Sequence, residues 1–78
     1  MQKDNLVNIR QIVKKYKVSP FTVNHYTDIG LLNVVSKRKN ARLYDDTEVR
    51  GRLKLIAELK DKGYPLRLIR MELSKGKK

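Results

Sequence analysis

Ser19, Phe21, Thr22, Asn24, His25 and Tyr26 place hydroxyls, an amide, an imidazole and two further rings within one short stretch. Lys37, Arg38, Lys39 and Arg42 follow as a cluster of cations. The first set can exchange hydrogen bonds and apolar contacts with base edges, and the second can neutralise phosphates. Together they have the two kinds of contact by which a protein reads nucleic acid. Catalytic chemistry is not indicated. His25 is the single histidine and there is no cysteine, so no positioned base partner and no thiolate metal site is visible. Asp45, Asp46 and Glu48 are better explained as carboxylates opening a helix. No enzyme, metal or cofactor is expected.

These residues need elements to hold them. Asn8 is a suitable helix N-cap. Ile9, Ile12, Val13 and Tyr16 fall at i, i+3, i+4 and i+7, the apolar stripe of a helix ending near Lys17. Ser19 caps a second helix with Pro20 at its first position. Val18 and Val23 have the spacing of a hydrophobic staple. Val23 and Tyr26 mark its inner face, Gly30 stops it, and Leu31 and Leu32 return to the core. Residues 8–32 thus outline a helix-turn-helix, the motif that lays its second helix in a DNA major groove.

On that reading Ser19, Phe21, Thr22, Asn24 and His25 are presented to the groove. Phe21 or Thr22 can meet a thymine methyl, and Asn24 can pair with adenine. The competing readings are packing of Phe21 against the following hairpin, and a solvated or phosphate-bound Asn24. His25 reads as a phosphate or backbone ligand, or an exposed residue, rather than a catalyst.

Val34 and Val35 favour a strand, as do Leu43 and Tyr44, with residues 36–41 as a polar basic loop between them. This hairpin is a wing, and Lys37, Arg38, Lys39 and Arg42 are its candidate contacts to phosphates or the minor groove. Arg42 could instead bond to Asp45 or Asp46 and brace the wing. Asp45 and Glu48 have the spacing of a capping box, and Val49, Leu53, Ile56 and Leu59 form the face of the third helix. Gly63 stops that helix. Pro65 starts a fourth, with Leu66, Leu68, Ile69 and Leu73 as its apolar positions. Residues 1–7 read as a lead-in and 74–78 as a frayed tail. Lys14, Lys15 and Lys17 read as solvated, and Arg10 as a candidate backbone contact. The fold class is mostly α with a small β-hairpin wing: one winged helix-turn-helix domain over residues 1–78, its core about 6–73.

The charge agrees with a polyanionic partner: Lys and Arg number 19 against 8 Asp and Glu, a net +11. It is concentrated early. Residues 5–44 hold eight basic residues against the single acid Asp28, whereas residues 45–78 hold ten against six. No segment approaches the length of a membrane span, and the N-terminus lacks a signal-peptide core. A cytoplasmic, nucleoid-associated location is expected.

The ordered text Ile9-Arg10-Gln11-Ile12-Val13, Val18-Ser19-Pro20-Phe21-Thr22-Val23, Tyr26, Gly30-Leu31-Leu32, Arg42-Leu43-Tyr44 and Gly63-Tyr64-Pro65-Leu66 resembles the DNA-binding domain of the MerR (mercury-resistance regulator) family. The resemblance runs over about residues 6–73. It implies sequence-specific binding to double-stranded promoter DNA, transcription regulation through distortion of that DNA, and a homodimer paired through a C-terminal helix beyond this chain. It also implies that Tyr26 turns its hydroxyl to a phosphate, and that Tyr64 and Arg67 form a second wing with phosphate contacts. The chain departs from the family at Asn24-His25, where an Arg before an aromatic is usual, and at Asn40-Ala41, where the wing commonly has Gly and an aromatic. The alternative function is a small architectural, excisionase-like DNA-binding protein. An RNA-binding role is allowed by charge, but the aromatic sheet platform of an RNA-recognition module is missing.

Overall fold

The computed structural model describes residues 5–75, with backbone alone at 74 and 75. The described residues form four helices and a small three-stranded antiparallel sheet. The order is β1 (Leu6–Asn8), α1 (Ile9–Tyr16), α2 (Pro20–Asp28), β2 (Ser36–Arg38), β3 (Ala41–Asp45), α3 (Asp46–Asp61) and α4 (Leu66–Lys75). This is the winged helix-turn-helix expected from the sequence. Residues 1–4 of the expected lead-in and 76–78 of the expected tail lie outside the described residues.

Two expectations about the sheet are corrected. Leu6 and Val7 are not a lead-in but part of β1, which pairs with β3 in the register Leu6↔Asp45, Val7↔Tyr44, Asn8↔Leu43. β3 therefore lies between β1 and β2. A three-residue strand carries too little alternation to be legible alone; it forms because the middle strand offers a second edge. The wing is also shifted: Val34 and Val35, expected as its first strand, precede β2, and its loop is shorter than expected. Ser36, Lys37 and Arg38 are strand residues paired with Leu43, Arg42 and Ala41, leaving Lys39-Asn40 as the turn. Lys39 adopts φ 58°, so a lysine occupies a left-handed position that glycine fills without strain.

The helix signals match the local chemistry. The Asn8 side chain accepts from the Gln11 amide while Gln11 reaches back to the Asn8 amide, both at 2.9 Å. Ser19 accepts from the Thr22 amide at 3.0 Å, and Pro20 opens α2 where an N–H would have no partner. Gly30 (φ 89°) ends α2 with Leu31 N–H donating to the Tyr26 carbonyl at 2.8 Å and Gly30 N–H to that of Thr27. Gly63 (φ 94°) repeats the motif after α3, through Tyr64 to Leu59 and Gly63 to Lys60. Both are Schellman stops, which need the left-handed conformation. Asp45 does cap α3, but through the Thr47 amide at 3.0 Å. Glu48 does not close the box; it accepts from Asn33 at 3.1 Å and lies 3.8 Å from Arg52.

Ile12, Val23, Tyr26, Leu31, Leu32, Tyr44, Val49, Ile56 and Ile69 make the core. Leu68, expected among the apolar positions of α4, is instead 42% exposed. Leu66, Ile69 and Leu73 already fill the inward stripe. The buried Tyr44 keeps its hydroxyl satisfied 2.8 Å from Thr27 Oγ1. Thr27 donates its own proton to the Val23 carbonyl at 2.7 Å, so Tyr44 is the donor, and the bond ties β3 to α2.

Lys15 is not simply solvated. It pairs with Asp46, whose other oxygen accepts from the Tyr16 hydroxyl at 2.7 Å. The Asp46 side chain is 13% exposed. The bond from Lys15, then that from Tyr16, holds the Asp46 carboxyl below its usual 3.8. Burial, then the bond to Asp46, pushes the Tyr16 phenol up to about 12. The lowered carboxyl contributes stability above pH 3.8 that is lost as acid passes through its folded value. The raised phenol contributes stability below its usual pKa of 10.0 that is lost between there and about 12. Denaturant unfolding across pH is expected to show both losses, and Asp46→Asn is expected to remove the acid-side one. Superimposable acid limbs for the two proteins would refute this assignment.

Candidate nucleic-acid interface

β3 decides how the wing meets α2. Arg42 and Tyr44 are two residues apart on a strand and so share one face of the sheet. On α2, Asn24, Thr27 and Asp28 are spaced i, i+3 and i+4 and share one stripe. The two surfaces meet. Tyr44 bonds to Thr27 in the interior, and Arg42 Nη1 donates to Asn24 Oδ1 at 3.3 Å and lies 3.9 Å from Asp28 Oδ1. Arg42 therefore braces the wing, but against α2 rather than through Asp45 or Asp46. Those two acids are occupied with the α3 cap and with Lys15 and Tyr16.

At the start of α2, Ser19 and Asn24 are exposed, whereas Thr22 and His25 are half-buried. The Ser19 hydroxyl donates to Thr22 Oγ1 at 2.9 Å while accepting the Thr22 amide, so these two hydroxyls serve the cap first. Phe21 is 76% exposed. It does not pack on the wing; its ring stacks on that of His25, 5.7 Å away and 6° from parallel. Tyr26 is 8% exposed and belongs to the core.

Lys37, Arg38 and Lys39 are exposed at the wing tip, and Arg42 at its base keeps 37% of its side chain exposed. Arg10, Asn24, Asn40 and Arg42 line a shallow recess of about 500 Å³ where α1, α2 and the wing converge. Arg10 is the candidate backbone contact of the first helix, whereas Asn40 stood out in the sequence only as a departure of the wing from the family pattern. Arg10 lies two residues past the Asn8 cap, a start-of-helix position that was the available signal. Tyr64 and Arg67 lie at the junction of α3 and α4, Tyr64 36% exposed with its amide closing α3, and Arg67 exposed on α4.

Among the described residues, no three His, Asp or Glu side chains gather as a metal site, and no helix is long and apolar enough to cross a membrane. No curated protein and no solved structure matches the chain. A family model does, that of the MerR HTH family regulatory proteins, over residues 7–75. That span takes in the helix-turn-helix, the wing and both following helices, and the chain belongs to this family of DNA-binding transcription regulators.

Proposed function

We propose that the chain acts as a single domain that binds double-stranded promoter DNA sequence-specifically and regulates transcription by distorting it, as one half of a homodimer, in the cytoplasm and associated with the nucleoid. The exposed start of α2, with Ser19, Phe21, Thr22, Asn24 and His25, enters the major groove. Lys37, Arg38, Lys39 and Arg42 hold phosphates beside it, and Arg10, Tyr64 and Arg67 hold the flanking backbone. Tyr26 supports α2 from the core with its hydroxyl toward a phosphate. The observation that carries this reading is the Arg42–Asn24 bond. It joins a wing cation to a groove-facing side chain of α2, and with the Tyr44–Thr27 bond that anchors the wing it sets phosphate and base contacts at one relative position.

Titration of promoter fragments in rising salt tests it. If Arg10, Lys37, Arg38, Lys39, Arg42 and Arg67 each neutralise one phosphate, affinity should fall roughly a thousandfold between 50 and 200 mM salt. A flat salt response would sink the phosphate assignment. Equal affinity for scrambled fragments would sink sequence specificity.

A further inference from the structure

Phe21 is the most exposed of the large apolar side chains, at 76%, and stands at the second position of α2. Its ring lies parallel to that of His25 one helical turn on. Stacking restricts both rings, so the plate they form is organised before any contact and loses little side-chain freedom on making one. The polar groups around it are partly committed within the protein. Arg42 occupies the Asn24 amide oxygen, and Ser19 and Thr22 bond to one another. What this face offers most openly is therefore an apolar aromatic surface. In the major groove the apolar feature of a base pair is the C5-methyl group, carried by thymine and, where cytosine is methylated, by 5-methylcytosine.

We propose that Phe21, backed by His25, is the receptor for a pyrimidine C5-methyl group and sets part of this protein's base preference. The inference rests on the reading of α2 as the major-groove helix. Removing one methyl from such a contact corresponds to an affinity loss of about fourfold.

Duplexes enriched by the 78-residue chain from a random pool are resynthesised with deoxyuridine at each thymine in turn, and titrated by fluorescence anisotropy. A second pool carries 5-methylcytosine in place of cytosine. The expected result is an affinity loss of about fourfold on methyl removal at one or two positions. It should disappear in Phe21→Ala and persist in Phe21→Leu, which keeps an apolar side chain. A penalty at thymine identifies thymine as the source; a preference confined to the methylated pool identifies 5-methylcytosine. Indifference of the unmodified protein to the methyl at every position would overturn the inference alone, as would discrimination that survives in Phe21→Ala. Failure to enrich any sequence would overturn the major-groove reading and this inference with it. Because Phe21 is exposed, an unchanged thermal transition in both variants separates lost contact from lost fold.

Discussion

Arg42→Ala is expected to weaken DNA binding by roughly tenfold near about 0.1 M salt and to lower the salt slope by about 1, the effect of losing one phosphate contact. Two effects combine. A phosphate-binding charge disappears from the base of the wing, and Asn24 loses the partner that orients its amide. Stability should hardly change. The contact to Asp28 is long, at 3.9 Å, between side chains 37% and 66% exposed, and such surface pairs contribute at most about 1 kcal/mol. The wing stays anchored through Tyr44 and Thr27. Arg42→Lys should fall between the two proteins, keeping charge but losing the planar fork. Anisotropy titration beside thermal denaturation measures both quantities. An unchanged Kd would remove Arg42 from the interface; a large drop in Tm would make it a structural residue instead.

Ile12→Ala is expected to produce a large loss of stability, about 2–5 kcal/mol. Ile12 is fully buried, and its helix packs against α2, α3, β1 and β3. The cavity would open beneath the helix-turn-helix, where several elements would have to move together to fill it. A domain of this size has a total stability of roughly 4–12 kcal/mol, so the change removes a large share. In a chain this short each kcal/mol shifts Tm by about 4–8 °C, and a fall of ten degrees or more should appear by circular dichroism. Met71→Ala, at a position 51% exposed, is the contrasting case and should stay within about 0.5 kcal/mol. Equal transitions for the two variants would show that Ile12 is not the keystone assigned here. DNA binding by Ile12→Ala should recover on cooling wherever the folded fraction recovers, because Ile12 itself faces no ligand.

Much of the architecture was readable because its signals are local. The Asn8 and Ser19 caps, Pro20, and the stops at Gly30 and Gly63 each depend on residues within one or two turns. The i, i+3, i+4 apolar stripes identified most of the core in the same way. The misses share a different cause. β1 exists through pairing with β3, whose partner residues such as Tyr44 for Val7 come far later in the chain. The outward position of Leu68 depends on which stripe of α4 is already occupied. Glu48 forgoes its local capping role for Asn33 and Arg52.

The candidate interface divides along the same line. The sequence by itself determined the helix-turn-helix, the wing, the excess of cations in residues 5–44 and the residues offered for contact, since composition, caps and periodicity are properties of short segments. Only the tertiary structure decided what those residues do with one another. It turned Arg42 toward Asn24 and Asp28, paired Lys15 with Asp46, brought Arg10 beside the wing, and stacked Phe21 on His25. Apart from the Phe21–His25 stack, these contacts join residues distant in the chain, and their geometry is set by how β3 packs against α2 and α1 against α3. The Phe21–His25 pair has helical spacing, yet Phe21 is left exposed because the inner face of α2 is already filled by Val23 and Tyr26. The physical reason is that partner choice among polar and aromatic side chains follows distance and burial, which a chain acquires only when its elements pack.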